Sequence, residues 1–269
     1  MLLLWTGLSL AGLGQALAPV KPIPALYWDS RRPQTAPEGR FDLLAVRGPK
    51  TELGAELEHE ASRPKAELIL RSRFPIQETV FREFTCRVGL TLRGRARPQG
   101  VLMARVETPQ GSVDVYHAAL VSDTPAATYK TLRSAQVFEL AEMIRDLSAG
   151  RRWVLFAANE PSQQAEYRML GRLLGASLNG LPSWSTNREQ ALTPMRTADQ
   201  IPERLKALEE IEQRLGVMMG RLWRDMHGKS WIPAYGLLVS LRYKSLYVWL
   251  DLIRERVRTE MVRAQGLNS

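Results

Sequence analysis

The sequence has little of the chemistry that thiol, disulfide and zinc sites require. Its single cysteine, Cys86, excludes an intramolecular disulfide and a zinc site built on cysteines. The three histidines are His59, His117 and His227, and their wide spacing argues against a histidine-rich metal site. The chain also lacks GxSxG, GxGxxG, HExxH and P-loop patterns, internal repeats and low-complexity tracts. The sequence therefore predicts neither a metal nor a cofactor.

Acidic residues are the minority charge, with 28 Asp and Glu against 37 Lys and Arg, for a net charge of +9. Both flanks, residues 1–110 and 195–269, are basic, whereas residues 111–194 are neutral. This excess favours nucleic acid, anionic lipid or an acidic protein as partner, without choosing among them. Hydrophobic residues make up 45% and charged residues 24%, which excludes wholesale disorder and a polytopic membrane protein.

Charge is absent from residues 1–20, MLLLWTGLSLAGLGQALAPV. A stretch of roughly 20 apolar residues is long enough to cross a bilayer, which makes a membrane anchor one interpretation. A signal peptide is the second, because residues 16–18 (ALA) resemble a cleavage site, although no Lys or Arg precedes the apolar run. A buried strand or helix of the folded body is the third. Residues 21–40 are rich in proline and are predicted to form an extended linker.

From Phe41 to residue 194 the chain alternates short apolar runs with helical patterns. Strands are predicted over 41–46, 66–70, 101–107, 113–116 and 153–156, and helices over 125–148 and 165–174. The sequence Thr108-Pro-Gln-Gly111 between two β-rich runs predicts a hairpin. This order of elements indicates an α/β sandwich with mixed sheets.

Residues 195–269 have a different character and form a predicted helical extension. Apolar residues recur every three or four positions over 199–227, and a second helical stretch is predicted over 235–264. The two helices could pair as a hairpin against the body. The aromatic residues Trp223, Trp231, Tyr247 and Trp249 are predicted to anchor a protein partner or a lipid surface, because aromatic side chains dominate such contacts.

Residues 41–184 resemble the endonuclease/exonuclease/phosphatase superfamily, and most of all its neutral sphingomyelinase-like branch. Five blocks in the family's order carry the resemblance: 41–48 (FDLLAVRG), 68–76 (LILRSRFPI), 99–116 (QGVLMARVETPQGSVDVY), 133–144 and 154–161 (VLFAANEP). The resemblance implies a four-layer α/β sandwich, here incomplete and followed by the pair of long helices. It also implies an ancestral Mg²⁺-dependent phosphodiesterase chemistry.

The resemblance places the family's catalytic roles on residues that cannot perform them. The metal-binding Glu falls on Gly48 and its Gln partner on Arg47, the Asn-Thr-His motif becomes His117-Ala-Ala119, and the catalytic Asp becomes Ala157. The family's Ser-Asp-His motif has no counterpart in the chain. His117 keeps the strand-face parity of the family's His, with Asp114 and Asp123 nearby, and Asn159 is retained, so a site rebuilt around His117 and Asn159 is the alternative.

The sequence thus predicts a catalytically inactive protein of this fold, acting as a structural or accessory subunit of a larger membrane-associated complex. The membrane contact is expected through residues 1–20 or through the C-terminal helices. The mitochondrial inner membrane is one predicted location, and a secreted or periplasmic protein is the alternative. A divergent Mg²⁺-dependent phosphodiesterase acting on phospholipid or nucleic acid is the alternative function, and a nucleic-acid-binding remnant without cleavage is a third.

Overall fold

A computed structural model describes residues 21–30, 40–49, 51–86, 99–121, 127–157, 163–176, 178, 190–198, 200–228 and 233–267. Three of the residues singled out above, Asp123, Asn159 and Trp231, lie outside these ranges, as does the hydrophobic segment 1–20.

The described residues form strands and helices in an α/β arrangement. The strands are β1 (Ile23–Asp29), β2 (Leu43–Arg47), β3 (His59–Arg63), β4 (Leu68–Ser72), β5 (Ile76–Glu83), β6 (Gly100–Thr108), β7 (Gly111–Ala118), β8 (Arg152–Ala157) and β9 (Gln190–Leu192). The helices are α1 (Ala127–Leu147), α2 (Gln164–Leu174), α3 (Ile201–Gly228) and α4 (Pro233–Gly266), with one 3-10 turn at Pro64–Ala66.

The first sheet has the strand order β3-β4-β2-β1-β9. Strands β1 and β2 are parallel, with Asp29 opposite Arg47 at their carboxyl ends, and the other pairs are antiparallel. Strand β1 is almost entirely buried, as its central position requires. It lies within residues 21–40, so part of the predicted proline-rich linker belongs to the folded body.

The second sheet has the strand order β5-β6-β7-β8. Strands β6 and β7 form the predicted hairpin, which turns at Gly111 with φ of +99°, a left-handed conformation that favours glycine. Strands β7 and β8 are parallel, with Ala118 opposite Ala157 at their carboxyl ends. Strand β5 is mostly exposed, as an edge strand is expected to be.

Two of the three hydrophobic clusters formed by the described residues pack against the two faces of the second sheet. One lies between the two sheets and contains Tyr27 and Leu70 from the first sheet and Val115 and Phe156 from the second. The other lies on the opposite face of the second sheet, where side chains of all four helices contribute. The sandwich is therefore covered by helices on its second sheet.

Helices α3 and α4 run antiparallel as a hairpin. Arg204 lies beside Glu260, and further along the helices Trp223 lies beside Tyr247, so residue numbers rise on one helix as they fall on the other. The predicted helical stretches 199–227 and 235–264 correspond to α3 and α4. The predicted α/β sandwich with a C-terminal pair of long helices is confirmed. Within the described ranges, no helix has both the length and the apolarity to cross a bilayer.

Candidate functional site

The two pairs of parallel strands end at the same end of the sandwich. Tyr27 lies two residues before the end of β1, and His117 lies one residue before the end of β7. Their rings meet edge to face between the sheets, with centroids 5.8 Å apart. The carboxyl ends of β1, β2, β7 and β8 therefore surround one region, which we call the strand-end region.

The three positions where the resemblance places catalytic groups all lie at this region. Gly48 follows the last residue of β2, Ala119 follows the last residue of β7, and Ala157 is the last residue of β8. Ala119 is buried among the apolar side chains between the sheets, and its N–H donates to the carbonyl of Gly100 at 3.0 Å. The structure thus gathers the three positions, but none of them carries a side-chain oxygen or nitrogen.

Position 48 also has a backbone conformation that a glutamate would not adopt without strain. Gly48 has φ of +123°, a region that is almost restricted to glycine. Its N–H donates to the carbonyl of Glu67 at 2.9 Å, which ties this conformation to the neighbouring strand connection. The glutamate that the resemblance implies at this position would therefore strain the backbone.

His117 lies inside the sandwich with no measurable solvent exposure. It points to the same side of β7 as Ala119, since Val113, Val115 and Ala119 all pack between the sheets. His117 was predicted to lie on the same face of its strand as Ala119, and the structure places both on the face between the sheets. Because the imidazole is covered on all sides and packs against Tyr27, its position is that of an interior side chain.

Asp114, predicted as a neighbour of His117, points to the opposite face of β7. Its carboxylate accepts hydrogen bonds from Arg105 Nε at 2.8 Å, Arg151 Nε at 3.1 Å and Ser148 Oγ at 2.6 Å. The Tyr116 hydroxyl lies 2.7 Å from Ser148 Oγ, and burial raises the pKa of this tyrosine, which keeps it protonated. Asp114 is thus the centre of a polar network under α1 and cannot serve a site beside His117.

Asp29 is the one acidic residue at the carboxyl end of β1, and the sequence reading did not single it out. It is 3% exposed and lies opposite Arg47 in the parallel pair. The apolar run Ala25-Leu-Tyr-Trp28 that precedes it is a strand signal, and an acid directly after such a run was the available clue. In the described part of the strand-end region, β1 thus contributes the carboxylate of Asp29 and β7 contributes the imidazole of His117.

The Mg²⁺ ion implied by the resemblance does not fit the donors described at this region. A hard divalent cation requires several oxygen ligands, usually more than one carboxylate. Asp29 supplies a carboxylate, whereas Gly48, Ala119 and Ala157 supply none. Across the described residues, no group of three or more His, Cys, Asp and Glu side chains is arranged to hold a metal.

Neither Cys86 nor a small cavity beside the second sheet has the chemistry of an active site. Burial, and secondly the charge of Glu139, raise the pKa of the Cys86 thiol, which keeps it protonated and unreactive. A cavity of about 100 Å³ lies between the second sheet and the helices, with Glu139, Glu142 and Arg256 in its wall. Arg256 already forms ion pairs with both glutamates. The cavity wall also contains Arg82, Glu83 and Asp146, so it has four acidic residues and two arginines, and both arginines are already paired with acidic residues of the wall.

The aromatic residues predicted as partner anchors differ in exposure. Trp223 is 53% exposed, with its ring 4.0 Å from that of His227 and 6.2 Å from that of Tyr247. Tyr247 and Trp249 are half-buried against the helical core. Trp223 is therefore the member of the set that the described structure offers most openly to a partner.

The sandwich and its strand-end region define an α/β protein with two mixed sheets and a helical hairpin. No protein-family profile matches the chain, and no curated protein matches its sequence.

Solved structures similar in fold include a beta toxin from Staphylococcus aureus, at 11% identity and TM-score 0.41, covering 49% of this chain and 59% of that one. A sphingomyelinase C from Streptomyces griseocarneus has 11% identity and TM-score 0.41, with 56% and 68% covered. The protein SmcL has 16% identity and TM-score 0.41, with 52% and 59% covered.

Proposed function

We propose that this protein is a catalytically inactive member of the endonuclease/exonuclease/phosphatase superfamily that serves as a structural or accessory subunit of a larger membrane-associated complex. The observation that carries the proposal is the lack of polar side chains at three positions of the strand-end region. The resemblance assigns the family's metal ligand, histidine and catalytic aspartate to Gly48, Ala119 and Ala157, which lie together at this region and have no side-chain oxygen or nitrogen.

The magnitude of the loss supports inactivity. Removal of one group that stabilises a transition state typically lowers a rate by about a hundred- to a thousandfold. Here three such groups are replaced together, and Gly48 has a backbone conformation that disfavours a carboxylate at its position. His117 offers no simple replacement, because it is enclosed between the sheets.

The test is a phosphodiesterase assay of the full chain with Mg²⁺, using sphingomyelin and DNA as substrates. We expect no hydrolysis above that of a His117→Ala preparation, which serves as the matched control for contaminating enzymes. Metal-dependent hydrolysis by the native chain that disappears in both His117→Ala and Asp29→Asn would contradict the proposal.

The same result would favour the alternative function, a divergent Mg²⁺-dependent phosphodiesterase acting on phospholipid or nucleic acid. One observation supports this alternative: the carboxylate of Asp29 and the imidazole of His117 belong to strands that end at the same region. A weakened site built on these two groups would depend on both of them.

The role in an assembly is proposed from the helical hairpin and from residues 1–20. The hairpin has an exposed tryptophan and exposed aliphatic side chains, and residues 1–20 contain no charge. We propose a membrane-associated location, with the mitochondrial inner membrane as one setting and the periplasm or exterior as the other. Carbonate-washed membranes should retain the full chain and release a variant lacking residues 1–20, and retention of neither form would argue against an anchor.

A further inference from the structure

Charge is unevenly distributed along the α3–α4 hairpin. We call residues 216–228 and 233–250 the hairpin tip, and residues 200–215 and 251–266 the hairpin base. The base contains seven Lys and Arg and seven Asp and Glu, whereas the tip contains four Lys and Arg and a single acid, Asp225. The positive charge of the hairpin is therefore concentrated at its tip.

The cations of the base are neutralised by the protein itself. Each of its seven basic side chains lies within ion-pair distance of a glutamate: Arg204, Lys206, Arg214, Arg254, Arg256, Arg258 and Arg263. These pairs hold α3 against α4, join neighbouring turns of one helix or, for Arg256, tie α4 to Glu142 of α1. The base consequently has little charge left for an external partner.

The cations of the tip differ in this respect. Arg221, Arg224 and Lys244 are exposed, and within the described part of the chain none of them forms an ion pair. Trp223 lies beside Tyr247, which brings 221–224 and 244–248 together at one level of the hairpin. Arg221 and Arg224 of α3 and Lys244 of α4 thus lie at neighbouring levels of the hairpin, and all three are exposed to solvent.

Exposed apolar side chains accompany these cations. In the tip, Val217, Trp223 and Val248 are 52%, 53% and 61% exposed. The base also exposes Leu252 and Val262, but its cations are paired with glutamates, so the tip is where exposed apolar side chains and unpaired cations of the described residues occur together. A surface that combines aliphatic and aromatic side chains with Lys and Arg is the pattern of protein segments that lie in the interface of a membrane.

We propose that the hairpin tip docks onto the surface of an anionic lipid bilayer, with Arg221, Arg224 and Lys244 contacting phosphate-containing headgroups and Trp223 and Val248 entering the interface. This inference deepens the membrane association in the proposed function and rests on it. A nucleic acid would use the cations but not the exposed aliphatic side chains, so the combination of the two favours lipid.

The experiment measures binding of the full chain to sucrose-loaded vesicles by sedimentation. Vesicles of phosphatidylcholine alone are compared with vesicles in which about a third of the lipid is phosphatidylserine. The test variant carries Arg221→Gln, Arg224→Gln and Lys244→Gln. The matched control carries Lys206→Gln, Arg258→Gln and Arg263→Gln, which removes the same charge from exposed base positions. At a rise of about 1.5 Å per residue, these control positions lie roughly 20 Å along the helices from Arg221 and Lys244. That distance exceeds the screening length of about 10 Å, so the control charges should contribute little to binding at the tip.

We expect the native chain to prefer the anionic vesicles and the test variant to bind them about a hundredfold more weakly, since each cation near the surface is worth about fivefold. The control should bind like the native chain. A Trp223→Ser, Val248→Ser variant should bind anionic vesicles more weakly at all salt concentrations, because its loss is not electrostatic. Circular dichroism verifies that every variant is folded.

Equal binding by the test variant and the control would overturn the proposal. It would also be overturned if duplex DNA or polyglutamate, but not anionic vesicles, bound in a manner that depends on the three cations, since the partner would then be nucleic acid or an acidic protein. Turnover measured in the same preparations reports on the proposed inactivity separately, because the tip is remote in sequence from the strand-end region.

Discussion

Replacement of Asp114 by alanine should destabilise the protein substantially, although its carboxylate lies on the face of β7 opposite His117. Asp114 has no measurable exposure and accepts hydrogen bonds from Arg105, Arg151 and Ser148. Removing one partner of a buried ion pair costs about 3–5 kcal/mol, because the remaining charge stays desolvated. The side chains of Arg105 and Arg151 are 19% and 41% exposed, so water compensates part of this loss. We therefore expect about 3 kcal/mol.

The measurement is urea unfolding at neutral pH, followed by tryptophan fluorescence and circular dichroism. Asp146→Ala is the matched control, since Asp146 is 65% exposed and lies 3.5 Å from an Arg82 side chain that is 49% exposed. Such an exposed pair contributes about 0–1 kcal/mol. The midpoint of Asp114→Ala should fall roughly 1 M below that of the control. Equal midpoints for the two variants would refute the assignment of Asp114 as the centre of a stabilising network.

Further predictions concern a glycine and the hairpin base. A Cβ at Gly175, where φ is +61°, would lie 2.2 Å from the carbonyl oxygen of Ala198, whereas one at Gly150, where φ is +71°, would meet nothing within 4 Å. Gly175→Ala should therefore unfold at a lower urea concentration than Gly150→Ala, and equal midpoints would contradict the close approach. Burial alone would raise the pKa of Glu210 and Glu212. Their arginine partners outweigh burial, and the pKa of each carboxyl is lowered from the ordinary 4.5. Their contribution to stability is present above pH 4.5 and is lost as the pH falls below it, so thermal melts should show a steeper acid loss for the native chain than for a Glu210→Gln, Glu212→Gln variant.

Much of the sandwich could be predicted because its strands are apolar on one or both faces. The runs that became β2, β4, β6 and β8 stand out as short hydrophobic segments, and the long helices show steps of three and four. Strand β1 was missed because Pro22 and Pro24 suggested an extended linker, yet Pro24 lies where its carbonyl still accepts a hydrogen bond from Asp42. Strand β5 was missed because most of this edge strand is exposed, and its few apolar residues, such as Ile76 and Val80, are only partly buried and do not alternate regularly with polar ones.

The candidate site could be predicted only where it depends on strand parity. A period of two places His117 and Ala119 on one face of β7, which the sequence alone reveals. The same parity places Asp114 on the other face, but its partners Arg105 and Arg151 come from different elements and are not apparent from local sequence. Asp29 was missed together with β1, since its significance depends on the parallel pairing with β2.

The segment between the sandwich and the hairpin has a mechanical consequence. Strand β9 extends the first sheet by pairing with β1, and three residues later Met195 exchanges two hydrogen bonds of 2.8 Å with Trp153 of the second sheet. Ala198 then donates to the carbonyl of Leu174 at 2.9 Å. A pulling force applied to α3 would consequently be shared among these three attachments, one to each sheet and one to α2. Movement of the hairpin, whatever it is bound to, is thereby resisted by the whole sandwich rather than by a single connecting loop.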